Sequence, residues 1–526
     1  MPTSRSTQIP PLEGDISTNG HRTISRSLKE IPLPSIPSKP ILSSPYLWLV
    51  LSFLGYGVFQ ILWTDYFVDD SYIHLTFARN ICEGKGFSFN PTGELTYGVT
   101  APLWTLILAW GGWILGITPK LAKGMSQIMG ILTIIAIYRL GLVAGLRSDW
   151  AALTALVWGW GGYLARWSAS GMETSLALLV VILAFEAHLR DKTLASGLLI
   201  GIATHLRPEI FGMGLLFGLD ASFRLGWRRG ALLVGVFVLS LIPWNTYALI
   251  KFHTIMPNPI MIKANPTFSG GEELLMNLLR TVGVLGLGSG GEMLLSIVGL
   301  MIIRHKGTDW DSWSRRVFPL LIVWILFPIF TLLIKGVFVQ SRYLILSQPA
   351  ILIGTFLILQ RLMSKLTSDL LVYFKWGVII VLLLWQSVIT HFILVPHGER
   401  FSYTMNALQG LGEWIDKNTP SEAIVAVGDV GAIGYYGKRK IVDVEGLITR
   451  EIIPLRRRHS YDEMMEREVY WAVAKPDWVV DKSFEPARLV RINPERYKLE
   501  MIKVVPRAMI GESPLPVYYC LYRIVH

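Results

Sequence analysis

The chain contains 526 residues, of which 52% are hydrophobic and 17% are charged, and its mean hydropathy is +0.45. Such a composition excludes a single soluble core and predicts a polytopic membrane protein. The net charge of +11 does not indicate a nucleic-acid partner, because no basic stripe with interleaved aromatic residues accompanies it. The two cysteines, Cys82 and Cys520, are too few for a disulfide framework or a thiolate metal site.

Residues 1–42 are rich in Ser, Pro and Thr, with scattered basic residues. They are predicted to form a disordered cytoplasmic tail, because they cannot bury enough apolar surface to fold. This segment lacks the apolar core and small-residue cleavage site of a signal peptide, so residues 46–63 are predicted to be a retained first helix. The basic residues that precede this helix favour a cytoplasmic N-terminus.

Ten further apolar runs follow the first helix, many of them close to the about 20 residues that a helix needs to cross a bilayer. Together with the first helix they predict about eleven spans, in a mainly α-helical transmembrane domain over residues 43–398. The ten runs are 121–143, 150–167, 172–189, 193–206, 209–222, 230–249, 283–303, 317–335, 343–362 and 375–395.

Residues 102–116 form a shorter apolar run within a first outer loop at 65–120. This run is expected to lie as an amphipathic helix on the outer membrane surface, because its length of about 15 residues is too short to cross comfortably. Treating it as a surface helix also collects Lys and Arg in alternate connections on the cytoplasmic side, as the positive-inside rule requires.

Unusual polar clusters then fall together on the outer side. They are the segments 69–74 (DDSYIH), 170–174 (SGMET), 207–209 (RPE), 340–343 (QSRY) and a loop at 251–273 that contains Lys263. Charged groups at a membrane boundary are costly unless they are used. Their convergence on one cavity suits an anionic, lipid-linked substrate, because a phosphate requires Arg and Lys donors and an acceptor hydroxyl requires a base.

After about residue 400, mixed charge replaces the long apolar runs, which predicts an α/β domain over residues 399–526. Residues 423–429 and 440–443 are expected to form strands, and residues 462–474 a helix. An odd number of spans places this domain on the outer side, above the polar clusters. The closely spaced glycines at 428–434 (GDVGAIG) lack the downstream acid of a dinucleotide fingerprint, so a nucleotide site is not expected.

Three motifs in the first outer loop carry a family resemblance: DDSYI at 69–73, EGKGFSFNP at 83–91 and YGVTAPLW at 97–104. They resemble the corresponding loop of GT-C glycosyltransferases, which are membrane enzymes that use polyprenyl-phosphate sugars. The mycobacterial terminal arabinofuranosyltransferases are the most similar subgroup, and the aminoarabinose and protein O-mannosyl transferases are more distant. SGMET at 170–174, LRPE at 206–209 and DVEGL at 443–447 follow in the family's order, so the resemblance spans nearly the whole chain after residue 45.

The resemblance implies a role for each candidate site residue. In such enzymes an Asp of the first loop is the general base on the acceptor hydroxyl, which implies Asp69 or Asp70, with a slight preference for Asp69. Fixed cations are implied for the charge that develops on the polyprenyl-phosphate leaving group. The substrate-binding candidates are His74, Arg79, Glu173, Arg207, Lys263, Arg342 and Tyr343.

These residues also have structural alternatives. The paired acids could favour a helix dipole, and Glu173 could cap the next helix. Arg207 could snorkel to the membrane interface, while Lys263 and Arg342 could contact lipid headgroups. No metal site is predicted, because adjacent residues on a helix point about 100° apart, although a divalent cation would be compatible with the two acids and His74.

The resemblance implies an integral-membrane glycosyltransferase of the cell membrane, with its site on the extracytoplasmic face. The expected partners are the bilayer, a polyprenyl-phosphate-linked sugar donor, with arabinofuranose as one candidate sugar, and a cell-envelope glycan, lipid or protein acceptor. The alternative class is a transporter or flippase for a lipid-linked anionic substrate. Transporters carry repeated halves with polar sites at the membrane midplane, whereas these polar clusters lie at one face. A third class, a receptor or assembly scaffold, would not explain the paired acids of the first loop.

Overall fold

The structure is a computed structural model that describes residues 44–263, 270–305, 310–334, 336, 339–364, 368–506 and 516–525. The predicted disordered tail, residues 1–42, lies outside the described residues. The described residues form a helical domain followed by a small α/β domain, which confirms the predicted fold class.

The helical domain is built from α1 to α17, and the α/β domain from α18 to α21 with β1 to β5. Helices α1 to α8 are Pro45–Leu62, Asp69–Cys82, Pro102–Leu115, Pro119–Ala144, Ser148–Gly159, Gly162–Ala169, Thr174–Leu189 and Thr193–Leu206. Helices α9 to α17 are Phe211–Leu225, Trp227–Phe252, Asn258–Lys263, Gly270–His305, Ser312–Ile334, Ser341–Leu344, Gln348–Met363, Ser368–Ile389 and Val395–Asn418. Helices α18 to α21 are Val430–Gly437, Ile453–Arg456, Tyr461–Glu466 and Arg488–Ile492. Strands β1 to β5 are Ile424–Val427, Lys440–Asp443, Trp478–Ser483, Tyr497–Val505 and Val517–Ile524.

Seven helical stretches of the described residues are long and apolar enough to cross a membrane. Three shorter apolar helices, α3, α7 and α8, accompany them. The seven stretches are Pro45–Leu62, Pro119–Ala144, Trp227–Phe252, Leu274–His305, Ser312–Ile334, Ser341–Met363 and Val372–Asn418. A helical membrane domain is therefore confirmed, whereas the count of about eleven spans stays a prediction.

One predicted span is divided in the structure. The apolar run at 150–167 forms two helices, α5 and α6, which are separated at Trp160 and Gly161. The start of α6 packs closely on its neighbour, because a Cβ atom at Gly162 would lie 2.0 Å from Thr390 Oγ1. Hydrophobicity does not reveal this break, since nearly all residues of both halves are apolar and buried.

Helix α3 has the length and the exposed face expected of a surface helix. Its 14 residues span about 21 Å, which is shorter than the hydrocarbon core of about 30 Å. Trp110 and Trp113 are 65% and 73% exposed, whereas Trp104 is fully buried. One apolar face therefore packs on the protein while the other faces outwards. Its place at a membrane surface stays a prediction.

The α/β domain contains a five-stranded sheet with the order β2-β1-β3-β5-β4. Strand β1 pairs in parallel with β2 and β3, and β5 pairs antiparallel with β3 and β4. Strands β1 and β2 occupy the two expected strand segments. The expected helix at 462–474 is shorter in the structure. The capping box of Ser460 and Glu463 starts α20 at Tyr461, but the helix ends at Glu466, and Glu468 at φ +52° separates it from a 3₁₀ turn over Val469–Ala472.

The first connection, residues 63–101, docks against α18 and β2 through side chains that bond to backbone groups. Asn90 exchanges two hydrogen bonds with Ile441: its Nδ2 donates to the carbonyl at 3.2 Å, and its Oδ1 accepts from the amide at 2.9 Å. Thr96 Oγ1 donates to the carbonyl of Ile448 at 2.9 Å. The α/β domain is thereby seated on the segment that carries the paired acids.

We expect Arg488→Met to destabilise the α/β domain by about 3–5 kcal/mol, because it leaves a buried charge without its partner. The Arg488 guanidinium donates to both carboxylate oxygens of Asp481 at 2.8 Å, and the Asp481 side chain is 1% exposed. Pulse proteolysis of the full chain in detergent measures the free energy of unfolding.

Arg491→Met is the matched control. Its partner Glu485 lies 2.6 Å away, but both side chains are more than half exposed, so the change should stay within about 1 kcal/mol. Equal losses in the two variants would contradict the prediction.

Candidate active site

A cavity lies where α2, the start of α7, the Arg207-Pro208-Glu209 segment, α14 and the α/β domain meet. Its empty volume, counted out to the solvent at its mouth, is about 980 Å³. Six of the nine predicted site residues line it: Asp70, His74, Glu173, Arg207, Arg342 and Tyr343. Four separate stretches of the sequence thus supply these six residues.

Asp70 and Arg342 form an ion pair in this cavity. Asp70 follows the first residue of α2, and its Oδ2 accepts a hydrogen bond from Arg342 Nη1 at 2.5 Å. Arg342 Nη2 donates to the Tyr343 hydroxyl at 3.2 Å, and the guanidinium lies 5.1 Å from the centre of the Tyr343 ring. The Asp70 side chain is 36% exposed and that of Arg342 only 11%, so the carboxylate is the accessible member of the pair.

A second buried pair joins Glu173 to Arg207. Arg207 Nη2 lies 2.8 Å from Glu173 Oε1 and donates to Thr174 Oγ1 at 2.8 Å. Glu173 occupies the N-cap position of α7, yet its side chain makes no capping hydrogen bond. The ion pair therefore accounts for this side chain better than the capping alternative.

His74 completes the polar wall of the cavity. Its Nδ1 lies 2.7 Å from Thr105 Oγ1, and its Nε2 lies 3.8 Å from Glu173 Oε2. Burial lowers the pKa of His74, although the carboxylates of Glu173 and Asp70 oppose this shift. The imidazole is therefore neutral at neutral pH.

Several buried polar atoms of the cavity residues lack a hydrogen-bond partner among the described residues. These atoms are Glu173 Oε2, Arg207 Nε, Glu209 Oε1 and Arg342 Nε. Buried polar groups without partners are rare in folded proteins, and at a cavity they mark binding capacity. Glu209 is a site residue that the sequence analysis did not select, although it belongs to the RPE segment that the analysis identified.

The Asp69 side chain does not line the cavity and instead binds the α/β domain. Its two carboxylate oxygens accept hydrogen bonds from the amides of Gly431 and Ala432, each at 2.8 Å. These amides open α18, where the helix dipole favours a negative charge. A Cβ atom at Gly431 would lie 2.0 Å from the Asp69 carbonyl oxygen, so the contact requires glycine. The slight preference for Asp69 as the base is therefore not supported by its position.

The surroundings of Asp69 move its ionisation towards neutral pH. Burial, together with the nearby carboxylate of Asp429, raises the pKa of Asp69 to about 7, although the two amide donors lower it. Asp429 in turn accepts a hydrogen bond from the Tyr519 hydroxyl at 2.5 Å and lies 3.1 Å from Lys482 Nζ.

Two other predicted site residues, Arg79 and Lys263, are not among the described residues that line the cavity. Arg79 Nη1 donates to the carbonyl of Tyr435 at 2.9 Å, and its guanidinium lies 5.3 Å from the Tyr435 ring. This residue therefore joins the first connection to α18, and its assignment to substrate binding stays a prediction. Lys263 is the last residue of α11, a helix whose residues Pro259 and Ile260 line the cavity. Its side chain lies outside the described part of the chain.

Three further lining residues were not selected as site candidates: Thr100, Thr331 and Leu447. Thr100 belongs to the YGVTAPLW motif of the first loop and Leu447 to the DVEGL motif of the α/β domain. Thr331 lies on α13 and belongs to no motif of the resemblance. No group of three or more His, Cys, Asp and Glu residues within the described ranges is placed to hold a metal ion.

These features define a polytopic membrane protein, and its fold is shared with solved structures of low sequence identity. The structure of ArnT from Cupriavidus metallidurans bound to undecaprenyl phosphate is similar with a TM-score of 0.59 and 12% identity, over 90% of this chain and 97% of that one. Its apo structure gives a TM-score of 0.54 and 13% identity, over 90% of this chain and 96% of that one. The structure of the Archaeoglobus fulgidus oligosaccharyltransferase, tethered to an acceptor peptide, gives a TM-score of 0.53 and 12% identity, over 83% of this chain and 69% of that one.

Within the α/β domain, residues 399–518 match a protein family described as a domain of unknown function, DUF8728. No curated protein matches the chain. The similarity to solved structures therefore shows the shared fold, while the arabinofuranosyltransferase subgroup stays a proposal.

We expect the thermal unfolding temperature of the wild type to fall more steeply between about pH 5 and about pH 8 than that of Asp69→Asn. The folded pKa of about 7 lies above the ordinary 3.8, so the stabilisation from protonated Asp69 is complete below about pH 4 and is lost as the pH rises through about 7. Thermal scans of the full chain in detergent at several pH values measure the difference.

Asp65→Asn is the matched control, because Asp65 is an exposed residue of the same connection. It should keep the wild-type slope. A wild-type slope in Asp69→Asn would mean that Asp69 does not titrate on folding.

Proposed function

We propose that the chain is an integral-membrane glycosyltransferase that transfers a sugar from a polyprenyl-phosphate donor to an acceptor hydroxyl. The observation that carries the proposal is the cavity in which the accessible carboxylate of Asp70 lies beside the cations Arg342 and Arg207. The chemistry requires a proton acceptor and fixed positive charge in one place. The lipid phosphate named with ArnT and the acceptor peptide named with the oligosaccharyltransferase support the two substrate classes.

Asp70 is the proposed general base. As the acceptor oxygen bonds to the anomeric carbon, its proton passes to Asp70, and the bond from that carbon to the phosphate oxygen breaks, releasing polyprenyl phosphate. Arg342 orients the carboxylate through its hydrogen bond. Asp69 is the proposed positioning residue, because both of its oxygens are engaged by α18.

The leaving phosphate is proposed to bind Arg207, Arg342 and Lys263. Arg207 and Arg342 each have a buried Nε without a partner among the described residues, and both guanidiniums lie over the Tyr343 ring, at 5.5 Å and 5.1 Å. Three carboxylates, Asp70, Glu173 and Glu209, outnumber these two cations, and His74 is neutral. A phosphate therefore needs a further cation, which Lys263 at the end of α11 would supply.

The site, the α/β domain and α3 are proposed to lie on the extracytoplasmic side of the cell membrane, with the N-terminus in the cytoplasm. Arabinofuranose is one candidate sugar beside other pentoses and hexoses, and the acceptor is a cell-envelope glycan, lipid or protein. Glu173 and His74 line the same cavity and are proposed to bind sugar hydroxyls.

Replacing Asp70 by Asn should reduce transfer by about 10²- to 10⁴-fold, because the amide cannot accept the proton. Binding of polyprenyl phosphate should persist, since no cation is removed. Membranes given a panel of labelled polyprenyl-phosphate pentoses and hexoses measure transfer, and native mass spectrometry of the purified protein measures binding.

The same substitution at exposed Asp65 is the control, with unchanged transfer. Full transfer by Asp70→Asn combined with loss in Asp69→Asn would reverse the assignment of the two acids. A wild type that neither binds polyprenyl phosphate nor transfers any sugar would overturn the proposed function.

Lys263→Gln should weaken polyprenyl-phosphate binding about tenfold, because one charge-assisted hydrogen bond to the phosphate is lost. Titration of the purified protein with polyprenyl phosphate in detergent, read by native mass spectrometry, gives the dissociation constant. Lys120→Gln, at the start of α4, is the control and should leave the constant unchanged. An unchanged constant in Lys263→Gln would remove Lys263 from the phosphate site.

A further inference from the structure

Arg166, on α6, is a buried arginine whose hydrogen-bond partners are both neutral. The residue is only 6% exposed. Its Nε donates to the Tyr66 hydroxyl at 3.1 Å, and its Nη2 donates to His397 Nδ1 at 2.9 Å. Because a guanidinium has no acceptor, Nδ1 must accept this bond, and the imidazole is therefore uncharged. A buried charge without a counter-charge is strongly destabilising.

The groups around Arg166 present hydrogen-bond donors that no described residue accepts. Arg166 Nη1 has no partner in the described part of the chain. Trp63 Nε1 is likewise buried without a partner, and the Arg166 guanidinium lies 5.8 Å from the centre of the Trp63 ring. The Tyr66 hydroxyl accepts from Arg166 and so keeps its own proton for another acceptor. Unused donors beside an uncompensated cation indicate an anionic oxygen ligand.

The acids nearest to these groups in the sequence do not compensate the charge of Arg166. Asp65 and Glu399 are both exposed, and neither forms an ion pair with Arg166 among the described residues. The positive charge of Arg166 is therefore left to a ligand.

The donors lie at one end of two membrane-crossing stretches. Trp63 directly follows α1. A helix that starts at Val372 rises about 38 Å by His397, which exceeds the hydrocarbon core of about 30 Å. Ile61 and Phe392 precede these two positions, and their apolar side chains are exposed. A lipid whose chains lie along such side chains would carry its headgroup to the level of Arg166.

We propose that Arg166 and Trp63 bind the phosphate of a glycerophospholipid from the surrounding membrane. The phosphodiester of such a lipid carries one negative charge and matches one guanidinium, whereas a phosphate monoester carries about 1.5 to 2 charges. The charge therefore favours a glycerophospholipid over polyprenyl phosphate. None of the donor residues lines the cavity at Asp70, so the lipid site is separate from the proposed transfer site and does not depend on it.

Titration of the purified full chain with phosphatidylglycerol in detergent, read by native mass spectrometry, tests the proposal. Trp63→Phe keeps an aromatic ring beside Arg166 but removes the Nε1 donor, so the dissociation constant of the first bound lipid should rise about threefold to tenfold. Arg166→Gln removes the charge and should raise the constant more than tenfold. Diacylglycerol lacks the phosphate and should bind the wild type and both variants equally.

Arg496→Gln is the matched control. Arg496 also lies over a tryptophan ring, that of Trp471 at 4.0 Å, but it is paired with Glu468 in the α/β domain. This variant should keep the wild-type constant. Thermal scans of each variant establish that it is folded, and Trp63→Phe carries the test if Arg166→Gln does not fold.

An unchanged constant for phosphatidylglycerol in folded Trp63→Phe would overturn the proposal, as would equal binding of phosphatidylglycerol and diacylglycerol by the wild type. Displacement of the lipid by an equal concentration of inorganic phosphate would assign the site to a free anion and overturn a lipid ligand. Polyprenyl-phosphate binding should be unchanged in Trp63→Phe, and its loss would contradict two separate sites. A wild type that binds phosphatidylglycerol through Arg166 but transfers no sugar would overturn the proposed function alone.

Discussion

The structure depends on the carboxylate of Asp69 at the first amides of α18. This contact ties the helical domain to the α/β domain beside the cavity, and it fixes the start of α2. Because consecutive helical residues point about 100° apart, the chain can hold the α/β domain with Asp69 and present Asp70 to the cavity. The amides at the start of a helix can bind a phosphate or another anion, and here a side chain of the same protein takes the anion's position.

The charges of the cavity are better explained by function than by stability. A buried ion pair such as Glu173 with Arg207 is often no more stable than apolar residues of equal size, and losing one partner is strongly destabilising. The partnerless atoms of Arg207 and Arg342 add to this cost. Such an arrangement is retained where charge is needed.

Much of this site could be predicted because its residues are unusual in a membrane chain. Asp70, Glu173, Arg207 and Arg342 are charges among apolar runs, and the order of their motifs carried the resemblance. The different positions of Asp69 and Asp70 could not be predicted. They depend on the contact between Asp69 and Gly431, and these two residues are 362 positions apart in the sequence. The contact of Arg79 with Tyr435, 356 positions further along the chain, could not be predicted for the same reason. The break between α5 and α6 was also missed, because hydrophobicity stays high across it.

The paired hydrogen bonds between Asn90 and Ile441 have a consequence for the solubility of the α/β domain. Strand β2 is an edge of the sheet, and an uncovered edge invites another strand to add to it. The Asn90 amide occupies the backbone N–H and carbonyl of Ile441 in the manner of a neighbouring strand. Asn90 of the first connection thus covers one residue of this edge strand. A fragment that begins after α17 would lack this contact, so its edge would be exposed and the fragment would tend to self-associate.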